Sequence, residues 1–558
     1  MSRTVCDLLL ETLADSGVTH AFGVPGDAIN ALVDSLRRFD QIDFVQVRHE
    51  ESGAFAASAQ AKLTGNLAVC CGTAGPGAIH LLNGLYDAKR DHAPVLAITG
   101  QVETTQLHHN YHQEVDQDAL FRDVALYNAT VVTPEQAPRM FADAVQAALS
   151  GRGVAHLALP TDVASKKVHA KAHQVFVDQP SVVPSAQRLD QAADLLKDAQ
   201  KPVILAGIGA ADAVPELIQL GERLGAPIVH SLRGKDLLAD DHPLNIGGLG
   251  MLGGKPAVKA MEACDVLLMV GTDFPYENFY PDKTRAIQIE SSPRHLGRRH
   301  PLAVGMVGHA KPTLQLLLQR IKANPEQAFL KQMQDHRASQ QKHFRQQESK
   351  TGAPLPPQSV PARACELADD DAIFLCDTGE VTVWAARHLH LRKQQRMTQS
   401  GQLASMAFGL PAAIGTQLAY PGRQVVALCG DGGFSMLMPD FLTAAKYKLP
   451  ITVIVFNNHK LGLIQAEQES SALPEYAVSL HNPDFAEYAR LCGGEGWRVT
   501  RSEDLDAALK AAFASNKPSL VDVEIDPEAL PMPPEIGMSQ AVNFSIGKLK
   551  ELAARFEF

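Results

Sequence analysis

Short apolar runs alternate with helical patterns along nearly the whole chain. "LAVCCGTAGPG", "APVLAITG", "PVILAGIGA", "VLLMVGTDF", "AIFLCDTGE", "QVVALCGDGG" and "ITVIVFNN" each read as a continuous buried strand that stops at Gly, Asp or Asn. Strands without polar alternation are covered on both faces, as parallel strands between two helix layers are. The pattern predicts an α/β fold of doubly wound parallel sheets, with ligands at the carboxyl ends of the strands. Two stretches interrupt it. Residues 168–188, "VHAKAHQVFVDQPSVVPSAQR", are polar and proline-bearing, with no helical period. Residues 327–357 hold "KQMQDHRASQQKHFRQQESK", read as a solvated polar helix, and then the breaker "TGAPLPPQS". Three domains follow, over residues 1–178, 185–335 and 350–558. The first and third read as α/β units of similar size.

Charge and cysteine usage narrow the class. A formal net charge of −11 argues against a nucleic-acid partner, which calls for a basic stripe. The eight cysteines show no metal-like spacing, and Cys71, Cys376 and Cys429 end apolar runs. They read as reduced and mostly buried, which fits the cytoplasm. "MSRTVCDLLLETLADSG" reads as an amphipathic helix and not as a signal peptide. No apolar run approaches the ~18 residues of a membrane span.

The chemistry is carried by "CGDGGFSMLMPDFLTAAKYKLPITVIVFNNHKLG", Cys429 to Gly462. A strand ends in Gly430, Asp431, Gly432 and Gly433, a helix follows, and the next strand ends in Asn457 and Asn458. Two adjacent parallel strand ends would present Asp431 and Asn458 side by side. A carboxylate, an amide oxygen and a nearby backbone carbonyl are hard ligands suited to Mg²⁺, whose shell phosphate and water complete. The glycines let a phosphate approach the following helix N-terminus.

This segment resembles the thiamine-diphosphate motif of the pyruvate oxidase and acetolactate synthase superfamily. The resemblance covers nearly the whole chain and implies a pyrimidine-binding domain, a central FAD-binding, Rossmann-like domain and a diphosphate-binding domain. It implies that Asp431, Asn458 and the backbone carbonyl of Lys460 hold Mg²⁺, with Leu461, Gly462, Leu463 and Ile464 beside the cofactor. "FGVPGDAIN" is similar to the loop that meets the aminopyrimidine through Val24, Pro25 and Gly26. "GTAGPGAIHLLNGLYDAKRDHAPVLAITG" is similar to the signature that places Thr73 and Asn83 at the cofactor. "ASMAFGLPAAIG" is similar to the stretch, from Ala404 and Ser405, whose Met406 wedges between the two cofactor rings. In "RHE" the resemblance makes Glu50 the proton partner of the aminopyrimidine, which activates the thiazolium carbon. Read without the resemblance, Glu50 and Glu51 are acids at a helix start.

The whole-chain resemblance runs to bacterial quinone-dependent pyruvate oxidases. It implies that pyruvate is decarboxylated to acetate and carbon dioxide and that the enamine left behind reduces FAD, with quinone or another electron acceptor downstream. "IVHSLRGKDLLADDHPLNIGGLGMLGG" and "GTDFPYENFYP" place Gly207, Arg233, Leu249, Gly250, Met251, Leu252, Gly271, Thr272, Asp273, Phe274, Pro275 and Glu290 on FAD. Glu290 and His309 stand where the family usually and often has Asp. A central domain kept as an empty scaffold is the alternative.

The pocket residues are mixed. Glu467 is oxidase-like, whereas Leu463, where pyruvate oxidases carry Phe, is synthase-like. His112, before Gln113, replaces a Phe; it is either a proton donor and acceptor or a packed aromatic substitute. A non-oxidative carboligase or decarboxylase of 2-keto acids is therefore the second reading, and a silent binding subunit the third. Glu50 and Met406 lie on different domains, and relatives share the site between subunits, so a homodimer is the least assembly and a homotetramer is expected. Residues 545–558 form a short amphipathic segment, read as a solvated helix with at most weak peripheral membrane contact.

Overall fold

The computed structural model describes residues 3–176, 181–323 and 327–529. The segment at 545–558 lies outside them. Among the described residues, no helix is long and apolar enough to cross a membrane.

Three six-stranded sheets form, and every strand pair in them is parallel. The first holds β1 (His20–Gly23), β2 (Asp43–Gln46), β3 (Ala68–Gly72), β4 (Val95–Gln101), β5 (Ala125–Thr130) and β6 (Val154–Pro160). The second holds β7 (Pro202–Ala206), β8 (Ile228–His230), β9 (Asn245–Gly248), β10 (Val266–Val270), β11 (Arg285–Glu290) and β12 (Val304–Val307). The third holds β13 (Ile373–Cys376), β14 (Arg396–Gln399), β15 (Val425–Gly430), β16 (Thr452–Asn457), β17 (Glu495–Val499) and β18 (Ser519–Glu524).

The spatial orders are β2-β1-β3-β4-β6-β5, β9-β8-β7-β10-β11-β12 and β14-β13-β15-β16-β18-β17. The outer sheets thus share one topology, and the middle sheet has the reversal of a dinucleotide-binding fold between β7 and β10. The wholly buried runs of β3, β4, β7, β10, β13 and β16 are the apolar runs of the sequence.

The alanine-rich helix Glu50–Thr64 joins the outer domains. It is buried nearly all round because it lies against helix Gly409–Ala419 of the third domain. Small residues set that approach: a Cβ on Gly415 would strike the backbone of Ala56. Phe55 meets Phe408 edge to face at 5.8 Å. At the end of this helix Lys62 lies 2.7 Å from both Asp87 and Asp91, all three side chains buried. Arg233 of the central domain donates to the carbonyl of Asp91 at 2.7 Å, and Gly401 and Gln402 of the third domain donate to its carboxylate. One buried ionic knot therefore ties three domains.

Helix Ala328–Glu348 corrects an expectation. The sequence reads as solvated, yet Phe329, Leu330, Met333 and Phe344 are buried and Arg337 pairs with Asp240 at 3.1 Å. A narrow apolar stripe is enough to dock a helix whose average composition is polar. At its end Glu348 Oε1 accepts from His388 Nδ1 at 2.7 Å and from His390 Nε2 at 2.8 Å. Burial pushes this carboxyl up, but the two imidazole hydrogen bonds outweigh it and hold it at about 2. A depressed carboxyl stabilises the fold above its ordinary 4.5 and loses that contribution as pH falls toward its folded value. Glu348→Gln should therefore lower the thermal midpoint near neutral pH, with the gap to wild type closing below about pH 4.5. A gap that stays constant on acidification refutes this reading of the contact.

Candidate active site

Strands β15 and β16 are neighbours in register, Gly430 opposite Phe456, so their carboxyl ends lie side by side. Asp431 opens the helix Asp431–Leu437 after β15, and Asn458 follows β16. Both are buried. Asp431 Oδ1 accepts from the Gly432 amide at 3.0 Å, and Oδ2 accepts from Asn482 at 2.7 Å. Asn458 Oδ1 accepts from the Lys460 amide at 3.1 Å, and its Nδ2 donates to Glu380 at 2.9 Å. Lys460 itself sends Nζ away, toward Glu475 and Glu528. A Cβ on Gly433 would run into the Asp377 carboxylate, whereas one on Gly430 would meet nothing.

Two carboxylates are thus confined together. Burial raises Asp431 to about 6, and burial with the neighbouring Asp431 charge raises Glu380 to about 7. Among the described residues neither is in an ion pair. Glu380 and Asn482 were not singled out by any sequence motif. Glu380 opens the helix Glu380–His388 after β13, and Asn482 lies in a loop after the helix Gly462–Ser470. The "DTGE" end of β13 was the available signal for Glu380; Asn482 had none.

The second half-site surrounds Glu50. It begins its helix behind the cap residue His49, is buried, and accepts from His80 Nδ1 at 2.9 Å through Oε2. The His49 and His80 rings stack at 4.3 Å. Gly77 stands before Oε1: a Cβ there would lie 3.1 Å from it. Gly26, between the half-buried Val24 and the short helix Asp27–Ile29, backs onto Thr73, whose hydroxyl donates to Asp27 at 3.2 Å; Pro25 is exposed. Asn83 donates to Glu51 at 2.6 Å and to Ser405 at 3.0 Å, so Glu51 also has a partner. Among the described residues, no hydrogen bond or ion pair joins Glu50 to Asp431 within one chain.

Met406 sits half-buried between Ala404 at φ +56° and Ala407 at φ +69°. Gln113 and His459 also have positive φ. Left-handed backbone at non-glycine residues costs energy and gathers at functional sites. Gln113 packs its backbone on Gly75, and His112 beside it is exposed. Leu463 and Glu467 share one face of their helix a turn apart; Leu463 is half-buried, Glu467 and Ile464 are exposed.

Three family models match the chain in sequence: the thiamine pyrophosphate enzyme N-terminal TPP binding domain over residues 3–120, the central domain over 189–317 and the C-terminal TPP binding domain over 377–523. The chain belongs to the thiamine pyrophosphate enzyme family. It is 42% identical over 560 residues to the Bacillus subtilis protein YdaP, covering 100% of this chain and 97% of that one. It is 34% identical over 564 residues to pyruvate oxidase of Lactiplantibacillus plantarum, covering 98% and 93%. It is 32% identical over 533 residues to the large subunit of acetolactate synthase isozyme 2 of Escherichia coli, covering 93% and 95%. The buried side-chain oxygens of Asp431 and Asn458, beside glycines that clear the approach, could hold a hard cation such as Mg²⁺.

In the central domain of this family member, two of the residues expected at FAD, Gly207 and Gly271, flank the reversal point. Gly207 follows β7 and Gly271 follows β10; a Cβ on Gly207 would strike the Gly271 carbonyl. Thr272 is buried, and its hydroxyl lacks a partner among the described residues. Glu290 Oε1 accepts from the Ser292 amide at 3.1 Å. Asp273 is held by Arg298 at 3.3 Å and Arg299 at 2.8 Å. Leu249 is buried, Met251 is exposed, and Arg387 of the third domain donates to the Met251 carbonyl at 2.9 Å. Gly250, at φ +96°, lies against Phe274. Arg233 instead reaches out of the central domain to Asp91. His309 Nδ1 accepts from the Val182 amide at 3.2 Å, a cap to the interdomain segment.

Proposed function

We propose that this chain catalyses the oxidative decarboxylation of pyruvate with thiamine diphosphate, Mg²⁺ and FAD. Carbon dioxide leaves, water supplies the second oxygen of acetate, and two electrons and two protons pass to an acceptor, quinone or another. The observation that supports the oxidase reading is Glu467, on the same helix face as Leu463, and the full-length likeness to a pyruvate oxidase agrees with it. The dinucleotide-type order of the central sheet and the unpaired Thr272 hydroxyl at its crevice support FAD.

When bound, thiamine diphosphate supplies the electron sink and FAD the two-electron acceptor. The chain's own residues do the rest. Asp431, Asn458 and the Lys460 carbonyl would hold Mg²⁺. Glu50 keeps Oε2 on His80 and leaves Oε1, in the space Gly77 clears, to hold a proton at the pyrimidine nitrogen. Gly207, Leu249 to Leu252, Gly271 to Pro275 and Glu290 would hold FAD. Glu50 and Met406 lie on different domains, and the site is taken to be shared between two copies; a homodimer is the least assembly and a homotetramer the expected one.

A flavin spectrum tests the reading. Purified protein should show flavin absorbance that bleaches on anaerobic addition of pyruvate. Flavin-loaded protein that does not bleach, and that makes acetolactate or acetoin without an acceptor, would instead be the carboligase that Leu463 and the likeness to acetolactate synthase favour.

A further inference from the structure

We infer that Glu380 is a positioning residue for the metal, one that turns the carbonyl oxygen of Asn458, and not its nitrogen, toward the ion. The inference rests on the metal reading above and concerns a residue outside it. An asparagine side chain is nearly the same shape with its oxygen and nitrogen exchanged, and only the oxygen can ligate a hard cation. Glu380 Oε2 lies 2.9 Å from Asn458 Nδ2 and accepts from it, which holds the amide with its oxygen turned the other way. The Lys460 amide, 3.1 Å from Asn458 Oδ1, favours the same orientation.

The surroundings are shaped for this contact. Gly379, at φ +137°, turns the chain so that Glu380 opens its helix beside β15. Gly462 leaves the room: a Cβ there would strike the Glu380 carboxylate and stand 2.8 Å from Asn458 Nδ2. The same device recurs one residue earlier. Asp522 accepts from Asn457 Nδ2 at 3.0 Å, which leaves Asn457 Oδ1 to accept from Asn482, the residue that holds Asp431. Two acids thus orient the two adjacent asparagines at the end of β16.

The test reads metal binding directly, with Mn²⁺ as a spin probe titrated into apoprotein and thiamine diphosphate. Wild type should bind Mn²⁺, and Glu380→Ala should bind it about 10–100-fold more weakly, the usual cost of losing a group that orients a ligand. In an Asn458→Asp background either side-chain oxygen can ligate, so orientation no longer matters. There Glu380→Ala should cause no weakening. Equal weakening in both backgrounds would make Glu380 a source of charge and overturn its positioning role. Unchanged binding by Glu380→Ala would overturn it as well. Wild type that binds no Mn²⁺ with thiamine diphosphate would instead bring down the metal reading itself. Should Glu380→Ala not fold, Glu380→Gln serves, since its amide both donates and accepts and cannot select one orientation; binding as tight as wild type would then refute the role.

Discussion

Glu50→Gln should lower turnover by about 10²–10⁴-fold, the range that a positioned proton partner supplies, while leaving cofactor and metal affinity within a few-fold of wild type. Glutamine keeps the shape of the side chain. Its Oε1 can still accept from His80, so the stack of His80 on His49 and the start of the helix Glu50–Thr64 should persist. What it lacks is the ability to take up and return a proton. Pyruvate-dependent reduction of an artificial acceptor gives the rate, and calorimetric titration with thiamine diphosphate and Mg²⁺ gives the affinity. A variant that turns over within about threefold of wild type would remove Glu50 from its role. One that loses binding and rate together would make it a structural acid.

Asp431→Ala should abolish metal-dependent cofactor binding. For wild type, ligand at a hundred times its Kd stabilises the fold by roughly 2.7 kcal/mol; the variant should gain nothing on adding thiamine diphosphate and Mg²⁺ together. The apoprotein behaves in the opposite sense. Burial raises the Asp431 carboxyl from 3.8 to about 6, so the folded state holds a proton that the unfolded state has released, and stability falls as pH rises through that window. Above about pH 6 the ionised, unpaired carboxylate burdens the apo fold. Removing it should leave the apo thermal midpoint unchanged or higher. A ligand-induced shift that survives in Asp431→Ala would refute the metal assignment. A large loss of apo stability would assign Asp431 to packing instead.

The two expectations differ in how legible their residues were. Asp431 and Asn458 stand at the ends of two apolar runs with a helical crossover between them, and a right-handed crossover makes such strands neighbours. Their adjacency follows from local pattern alone. The same holds for the wholly buried strands and the alternation that gives three parallel sheets. Glu50 is different. A carboxylate after β2 at a helix start has an ordinary explanation in the helix dipole, and the resemblance to a family raised it above that reading. The structure adds a mechanism for singling it out from Glu51. Glu50 is buried on His80 beside the space of Gly77, while Glu51 turns to Asn83.

Continuous apolar runs, their Gly, Asp and Asn endings and the breakers between them determined the α/β class, the three units and the place of the Asp431–Asn458 pair, because each depends on residues within one or two elements. Tertiary structure alone decided which residues hold those ligands and which tie the domains. Glu380 reaches Asn458 across 78 positions, Asn482 reaches Asp431 across 51, and Arg233 meets Asp91 across 142. Hydrogen bonds and ion pairs over such separations leave no periodicity in the chain. They are set by how sheets and helices stack, and that stacking is what brings a second acid, Glu380, beside Asp431 and Asn458 and an ionic knot to the junction of the three domains.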